Sequence, residues 1–413
     1  MMRRLRSSLI LALGLLAIAF PVANAAGGQT TTDVALARGI AKALAAHGFS
    51  GQGTGVAVAD LATGDVIYQR NGAIPMVPAS TEKLFTSVAA LSTLHPDFRF
   101  ATTVVGVGTR VGPTWNGDLY LVGSGDPTFS SYDIDALAAQ VKARGIRRIS
   151  GRIRGDETVF DSSRWGPWPV RYIGVESPPL SGLALDRDVT TNGRDVASPS
   201  HSAARALRRA LKAAGVKVGV HFVAGGRAPK GALVLGRVQS DPLWQIVRFM
   251  DRHSDNFTAE MVAKAVGAYA GGSGTTERGM HVAGEVAAPM LGEDAPLVHL
   301  ADGSGLSHAN RTTAAALARL LAGAAANPAI AKPFAGALSV AGANGTLAHR
   351  LRGLRGRVLG KSGTLDNVSA LAGYVTGLSG RRFAFAVLMN VPALSDWDAH
   401  AAQDAIVKLL AKR

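Results

Sequence analysis

The alternation of hydrophobic and polar residues predicts an antiparallel sheet assembled from both ends of the chain. Residues 55–60 and 65–70 alternate, carry β-branched side chains and flank a turn, so they predict a hairpin. Residues 369–375 and 383–389 repeat this pattern around a Gly-Leu-Ser-Gly turn. Strands that helices flank similarly at both ends of a chain usually meet in one sheet.

Helical spacing predicts the elements that cover this sheet. Leu84, Val88 and Leu91 recur at helical intervals, so residues 80–94 predict a buried helix. A closing amphipathic helix is expected at residues 397–410, and this helix is expected to pack on the sheet rather than on a membrane. Further predicted helices are 243–251, 257–270, 276–287 and 312–325, with a short strand at 298–300. The fold class is therefore α+β.

The pattern changes between residues 96 and 240, where strands and helices form units of their own. The predicted strands there are 98–107, 119–122, 147–153 and 216–223, and the predicted helices are 134–143 and 203–214. We therefore predict a catalytic domain formed by residues 26–95 and 241–413, with a large α/β domain inserted at residues 96–240.

The first 25 residues predict a cleaved signal peptide. Arg3, Arg4 and Arg6 precede an apolar stretch at residues 9–20, and Ala23-Asn24-Ala25 supplies a small-x-small cleavage pattern. The apolar stretch is short for a membrane span. The mature protein is expected in the periplasm or outside the cell. The chain has no cysteine, so disulfides and thiolate chemistry are excluded.

The net charge of the chain indicates which classes of binding partner are expected. The formal net charge of +15 suits an anionic cell wall, with at most a loose association with an anionic membrane surface. Arginine pairs such as Arg208-Arg209 are scattered without interleaved aromatic residues, so nucleic acid is not an expected partner. The histidines lack metal-site spacing, and neither a metal nor a cofactor is expected.

Candidate chemistry begins at Pro78-Ala79-Ser80-Thr81-Glu82-Lys83. Ser80 and Lys83 are three positions apart at the start of the predicted helix, so they share a face. A desolvated lysine can lose its proton and activate a serine hydroxyl. A helix-capping serine followed by a solvated lysine would give the same letters.

Two later motifs favour the catalytic interpretation. Ser254-Asp255-Asn256 lies between two predicted helices, where it could also serve as a helix cap. Lys361-Ser362-Gly363-Thr364 opens a predicted strand, where it could also be a charged strand edge. Ser-x-x-Lys, Ser-Asp-Asn and Lys-Thr-Gly in this order are the signature of penicillin-binding proteins and class A β-lactamases.

The three motifs together predict a separate role in acyl transfer for each residue. Ser80 attacks a carbonyl and becomes an acyl-enzyme, and Lys83 takes its proton. Ser254 relays a proton toward the leaving amine, while Asn256 holds the substrate amide and the Lys83 amine.

The third motif is expected to line the substrate. Lys361 supplies a fixed positive charge for a terminal carboxylate, and Ser362 and Thr364 also contact the substrate. The backbone N–H groups of Ser80 and Thr364 are expected to stabilise the oxyanion.

At these residues the sequence resembles the D-Ala-D-Ala carboxypeptidase/endopeptidase family, the class C low-molecular-mass penicillin-binding proteins. The resemblance covers most of the mature chain. It rests on the Ser80 and Lys361 motifs and on three further blocks, Gly123-Ser124-Gly125-Asp126-Pro127-Thr128, Asp302-Gly303-Ser304-Gly305-Leu306-Ser307 and Ala341-Gly342-Ala343-Asn344-Gly345-Thr346-Leu347. The resemblance implies a penicillin-recognising transpeptidase/β-lactamase-like fold, peptidoglycan stem peptides as substrates and β-lactams as covalent inhibitors.

The resemblance also implies that Asp126 reads the free amine of a diaminopimelate side chain, although a turn aspartate would look the same. Two features depart from the family pattern. Only residues 188–202 remain where the family often nests a further small domain, and His308 stands where an arginine often follows the Gly-Leu-Ser block. Recognition of the peptide's far end could therefore differ or depend on pH.

Three functions remain open from the sequence. A serine-type D-Ala-D-Ala carboxypeptidase/endopeptidase is the leading interpretation. A β-lactamase-like or esterase hydrolase of the same fold would need a deacylating base, and no Glu-x-x-x-Asn pattern lies between the first two motifs. A non-catalytic wall-binding or penicillin-sensing protein would need no nucleophile, yet Ser80, Lys83, Ser254, Asn256 and Lys361 are all present.

Overall fold

The computed structural model describes residues 34–219, 222–223 and 225–413. The predicted signal peptide lies outside these residues. In chain order the strands are β1 (Thr54–Asp60), β2 (Val66–Arg70), β3 (Ala101–Val111), β4 (Thr114–Val122), β5 (Arg148–Ile149), β6 (Ile153–Asp156), β7 (Lys217–Val218), β8 (Phe222–Val223), β9 (Leu233–Gln239), β10 (Ser339–Val340), β11 (Val358–Leu365), β12 (Val368–Thr376) and β13 (Arg382–Asn390).

The helices surround two sheets. In chain order they are α1 (Val34–Ala46), α2 (Lys83–Thr93), α3 (Ser131–Ala143), α4 (Pro199–Ala213), α5 (Leu243–His253), α6 (Asn256–Tyr269), α7 (Thr276–Leu291), α8 (Ala314–Ala326), α9 (Ala331–Ala337) and α10 (Asp396–Ala411). No helix in the described ranges is both long enough and apolar enough to cross a membrane.

The first sheet joins the two ends of the chain, as the alternation predicted. Its strand order is β10-β11-β12-β13-β1-β2, and every neighbouring pair is antiparallel. Val56 faces Val387 across the central pair. Because side chains alternate across a strand, the sheet buries both faces, one in a core shared with α1 and α10 and the other in a core shared with α2, α5, α6, α7 and α8.

The second sheet is mixed and is built from residues 101–239. Its strand order is β7-β5-β4-β3-β9, and β6 pairs with both β4 and β8. Helices α3 and α4 pack on it around a separate core that includes Leu119, Leu137 and Leu207. The predicted α+β class, with an antiparallel sheet covered by helices and a large α/β insertion, is confirmed. The boundaries 96 and 240 remain predictions.

Local differences from the predicted elements have physical causes. The strand predicted at 147–153 is two short strands, because the chain leaves β5 at Ser150 and Gly151 before β6 begins. The strand predicted at 298–300 is only an isolated bridge between His299 and Arg311. The hydrophobic pattern does not predict α1, β9, β10 or α9. The segment after Asp188 forms a single turn closed by a bridge between Val189 and Asp195.

Candidate active site

The nucleophile candidate lies in a tight turn at the start of α2. Residues 79–82 form a 3-10 turn that continues directly into the helix at Lys83. The Pro78 carbonyl oxygen accepts a 2.7 Å hydrogen bond from the Thr81 hydroxyl and fixes the entry to the turn. Ser80 is half-buried whereas Lys83 is fully buried, so only the serine reaches the groove above.

Three oxygens surround the Lys83 amine. Its Nζ lies 3.0 Å from Ser80 Oγ, 2.8 Å from Asn256 Oδ1 and 2.7 Å from the Ser304 carbonyl oxygen. A neutral amine has two N–H donors and one lone pair. If Asn256 and Ser304 accept the two N–H groups, the lone pair faces the Ser80 hydroxyl. This geometry suits removal of a proton from Ser80.

Burial lowers the pKa of Lys83 to about 8, because the charged ammonium loses its hydration there. The nearby carboxyl of Asp302 acts in the opposite direction and keeps the pKa from falling further. The environment therefore holds the amine close to the point at which it can release and accept a proton near neutral pH.

The second motif sits at the junction of α5 and α6. Ser254 ends α5 in a left-handed conformation with φ of 55°, and Asn256 begins α6. Asp255 between them is the N-cap, and its carboxylate accepts a 2.8 Å hydrogen bond from the Thr258 backbone N–H. The capping interpretation therefore applies to Asp255, which leaves Ser254 and Asn256 on the groove.

The third motif lies on β11, close against the nucleophile turn. A Cβ at Gly363 would come within 2.8 Å of the Ser80 backbone nitrogen and 2.9 Å of the Pro78 carbonyl oxygen, so only glycine permits this approach. Lys361 is fully buried, and its Nζ donates to Ser254 Oγ at 2.8 Å and to the Ser362 carbonyl oxygen at 2.7 Å.

Burial also lowers the pKa of Lys361 well below its usual value, and the neighbouring charge of Lys83 adds to this effect. Asp251 partly offsets both. The sequence analysis expects a fixed positive charge at Lys361. A nearby anion, such as a substrate carboxylate, would favour the charged form of Lys361.

The glycine-rich loop formed by residues 302–307 packs against the nucleophile turn. Gly305 has φ of 87°, and a Cβ there would lie 2.0 Å from the Ala79 carbonyl oxygen. Asp302 holds the loop by accepting hydrogen bonds from the backbone N–H groups of Gly305 and Ser307 at 2.8 and 2.6 Å. The loop thereby presents the Ser304 carbonyl oxygen to Lys83.

Most predicted site residues meet at one groove of about 880 Å³. Ser80, Ser254, Asn256, Ser362 and Thr364 line it, and the two lysines lie beneath them.

Asp126 lies elsewhere, in the loop after β4, and is not among the groove-lining residues. Its carboxylate accepts hydrogen bonds from the Thr128 backbone and hydroxyl at 2.8 and 2.6 Å, and burial raises its pKa to about 6. Its assignment to amine recognition stays a prediction.

The sequence analysis missed two groups of residues at the site. Tyr172 and Glu176, from the predicted insertion, line the groove, and Thr346 and Asp366 line it as well. His308 contacts Tyr172, with 3.5 Å between its Nε2 and the phenol oxygen. Thr346 lies within a block already quoted for the family resemblance, whereas no motif marks Glu176.

Buried carboxyls form the second missed group. Glu82, Asp251, Glu260 and Asp302 are all fully or almost fully buried. Asp251 Oδ2 accepts a 2.7 Å hydrogen bond from the Ser87 hydroxyl, and burial raises its pKa to about 7. Neither carboxyl oxygen of Glu82 has a hydrogen-bond partner, and burial raises its pKa well above the usual value.

A serine in contact with a buried lysine, a serine and an asparagine that line the same groove, and a Lys-Ser-Gly-Thr strand are together the arrangement of the penicillin-recognising class of acyl-serine enzymes. The model of the D-Ala-D-Ala carboxypeptidase 3 (S13) family matches residues 36–191 and 180–413. The chain belongs to this family of serine-type carboxypeptidases, and it is a hydrolase.

Curated relatives extend over almost the whole chain. A D-alanyl-D-alanine carboxypeptidase from an Actinomadura species is 33% identical over 98% of this chain and 89% of its own. Carboxypeptidase DacB from Mycolicibacterium smegmatis is 34% identical over 90% of this chain and 85% of its own. The crystal structure of penicillin-binding protein 4 from Haemophilus influenzae has a TM-score of 0.78 at 21% identity, covering 92% and 99% of the two chains, and shares the fold.

Proposed function

We propose that this chain is a serine DD-peptidase that removes terminal D-alanine from peptidoglycan stem peptides and cleaves D-alanine cross-links. The observation that carries the proposal is the 3.0 Å contact between Lys83 Nζ and Ser80 Oγ in a fully buried lysine environment. Family membership and the names of the curated relatives support the substrate class.

The proposed first step forms a bond between Ser80 Oγ and the carbonyl carbon of the penultimate D-alanine. Lys83 takes the hydroxyl proton, and the Ser80 and Thr364 backbone N–H groups stabilise the oxyanion. The peptide C–N bond then breaks. Ser254, held by Lys361, passes its hydroxyl proton to the leaving amine and receives in exchange the proton that Lys83 took from Ser80.

Asn256, Lys361, Ser362 and Thr364 are proposed to bind the substrate. Asn256 would hold its amide, and the terminal carboxylate would pair with the buried Lys361 amine and favour its charged form. In the second step, water attacks the acyl carbon, Lys83 takes one proton from that water, the ester C–O bond breaks and this proton passes to Ser80 Oγ. The products are a shortened peptide and D-alanine, or two separated peptides.

We further propose that the mature protein acts in the periplasm or outside the cell after removal of residues 1–25. Its basic charge would favour an anionic wall, with at most loose contact to a membrane surface. β-Lactams would acylate Ser80 as covalent inhibitors, because their strained amide occupies the place of the scissile peptide bond.

Labelling with fluorescent penicillin tests the proposal. The wild-type protein and a Ser162→Ala control, which removes an exposed serine of the predicted insertion, should both be labelled, whereas Ser80→Ala should not. A label that persists on Ser80→Ala would reject Ser80 as the nucleophile. Rapid turnover of the drug would favour a β-lactamase, and incubation with pentapeptide and cross-linked muropeptide dimers would separate the two peptidase activities.

A further inference from the structure

A second cavity, of about 720 Å³, lies between α5 and α9 and shares no lining residue with the groove at Ser80. Its lining includes three cations, Arg248, Arg252 and Lys332, but only one acid, Asp97. Trp244 and three prolines supply apolar walls. We call this site the α5–α9 pocket.

The cationic side of the α5–α9 pocket is one stripe of α5. Trp244, Arg248 and Arg252 are spaced by four residues, so they lie above one another on the same helix face. The Arg248 guanidinium carbon lies 4.9 Å from the Trp244 ring centre, which fixes its plane over the indole. Arg252 Nη2 donates a 2.9 Å hydrogen bond to the Gly336 carbonyl oxygen and ties the stripe to α9.

These cations form no ion pair within the described part of the chain, although Asp97 lines the same pocket. None of the ion pairs found there includes Arg248, Arg252 or Lys332. The buried Nε of Arg252 has no acceptor, although guanidinium N–H groups in such places normally find one. Burial, together with the charge of Arg248, lowers the pKa of Arg252. An anion bound in the pocket would offset the positive charge of Arg248 and Arg252.

We propose that the α5–α9 pocket binds a carboxylate of a peptidoglycan strand, as a second attachment point outside the catalytic groove. A guanidinium group pairs with a carboxylate through two parallel hydrogen bonds, and a pocket of this size accommodates the organic body that carries the carboxylate. Stem peptides along a strand repeat free carboxylates, so one can occupy the pocket while another stem peptide reaches Ser80. The assignment rests on the proposed peptidoglycan substrate.

Sedimentation with purified insoluble peptidoglycan tests this site. The full-length Ser80→Ala protein, which binds without cleaving, is compared with the same protein carrying Arg248→Gln and Arg252→Gln. We expect the glutamines to weaken binding by about five- to tenfold at low salt, and the difference to shrink as salt rises. Lys332→Gln, which leaves α5 intact, should weaken it in the same direction.

A control removes the same charge elsewhere. Arg209→Gln with Lys212→Gln alters two exposed cations on α4 and should change binding less than about twofold. An equal loss in this control would overturn the site, because binding would then follow net charge alone. A loss confined to anionic phospholipid vesicles, with peptidoglycan binding unchanged, would overturn it too.

Activity measurements keep this inference separate from the proposed function. With Ser80 intact, the Arg248→Gln, Arg252→Gln protein should be labelled by penicillin like wild type, and should hydrolyse a short soluble peptide at an unchanged rate. If wild type itself takes no penicillin, the proposed function fails whatever the sedimentation shows. If labelling is normal but all variants sediment equally, only the α5–α9 pocket assignment fails.

Discussion

Replacing Glu260 by glutamine should stabilise the protein, and the gain should grow as pH rises. Glu260 is fully buried on α6, where its Oε1 accepts a 2.8 Å hydrogen bond from the Ser304 backbone N–H. Its Oε2 has no partner. Burial raises its pKa to about 8, and the charge of Asp302 adds to the shift. Glutamine keeps the accepting oxygen and cannot ionise.

The sign follows from proton release in the two states. In the unfolded chain Glu260 ionises near the ordinary glutamate pKa of 4.5, whereas in the folded protein it keeps its proton up to about pH 8. Stability therefore falls by roughly 1.4 kcal/mol per pH unit between these values. At pH 7 the penalty is about 3 kcal/mol, and glutamine does not incur it.

Thermal unfolding by calorimetry measures the effect. For a chain of this size, about 3 kcal/mol corresponds to roughly 4 °C in the melting temperature. The difference between Glu260→Gln and wild type should therefore rise by about that amount from pH 5 to pH 7. The unpartnered glutamine amide lowers the stability by the same amount at every pH. The test is therefore how the difference in melting temperature changes with pH.

The matched control is Glu285→Gln, which changes an exposed glutamate on α7 that pairs with His281. It should show no comparable slope. A melting difference for Glu260→Gln that stays flat with pH, or declines, would refute a protonated Glu260.

Three other outcomes concern activity. The rate of acylation by penicillin should rise about tenfold per pH unit up to about pH 8, where Lys83 loses its proton. Lys83→Ala should slow acylation by roughly 10³-fold. Stopped-flow labelling measures both rates, and a rate that does not change with pH or with the substitution would contradict the role of Lys83. Gly363→Ala should slow acylation about a hundredfold by pushing β11 off the Ser80 backbone, and an unchanged rate would contradict the close approach. Asp126→Ala should keep penicillin labelling but lose the preference for diaminopimelate peptides. Competition between peptides with and without the free amine of diaminopimelate measures this preference, and an unchanged preference would contradict the assignment of Asp126.

The contact between Ser80 and Lys83 could be predicted because it is local. Helix geometry places side chains three positions apart on one face, and the observed 3.0 Å contact follows from that spacing. Ser254 and Asn256 could be predicted for a related reason. The chain turns at the break between two helices, and Asp255, which lies between Ser254 and Asn256, caps the second helix.

Burial of the carboxyls could not be predicted because it depends on distant packing. Glu82 and Glu260 occupy ordinary helical positions in the sequence, and a glutamate there is usually solvated. Here the glycine-rich loop closes over both, with Gly305 against Glu82 and the Ser304 backbone N–H on Glu260. Ser304 follows Glu260 by 44 positions in the sequence, so no local sequence pattern predicts their contact.

Glu176 shows how the predicted insertion bears on the candidate catalytic groups. The Asn256 amide nitrogen has two N–H donors, and both find acceptors on Glu176, the backbone oxygen at 3.0 Å and the carboxylate at 3.3 Å. The Asn256 amide oxygen meanwhile accepts from Lys83. If Asn256 binds the substrate amide through that nitrogen, as proposed above, the substrate carbonyl must displace at least one of these acceptors. Substrate binding would then exchange a contact within the protein for one with the peptide, which makes part of the affinity depend on the segment around Glu176.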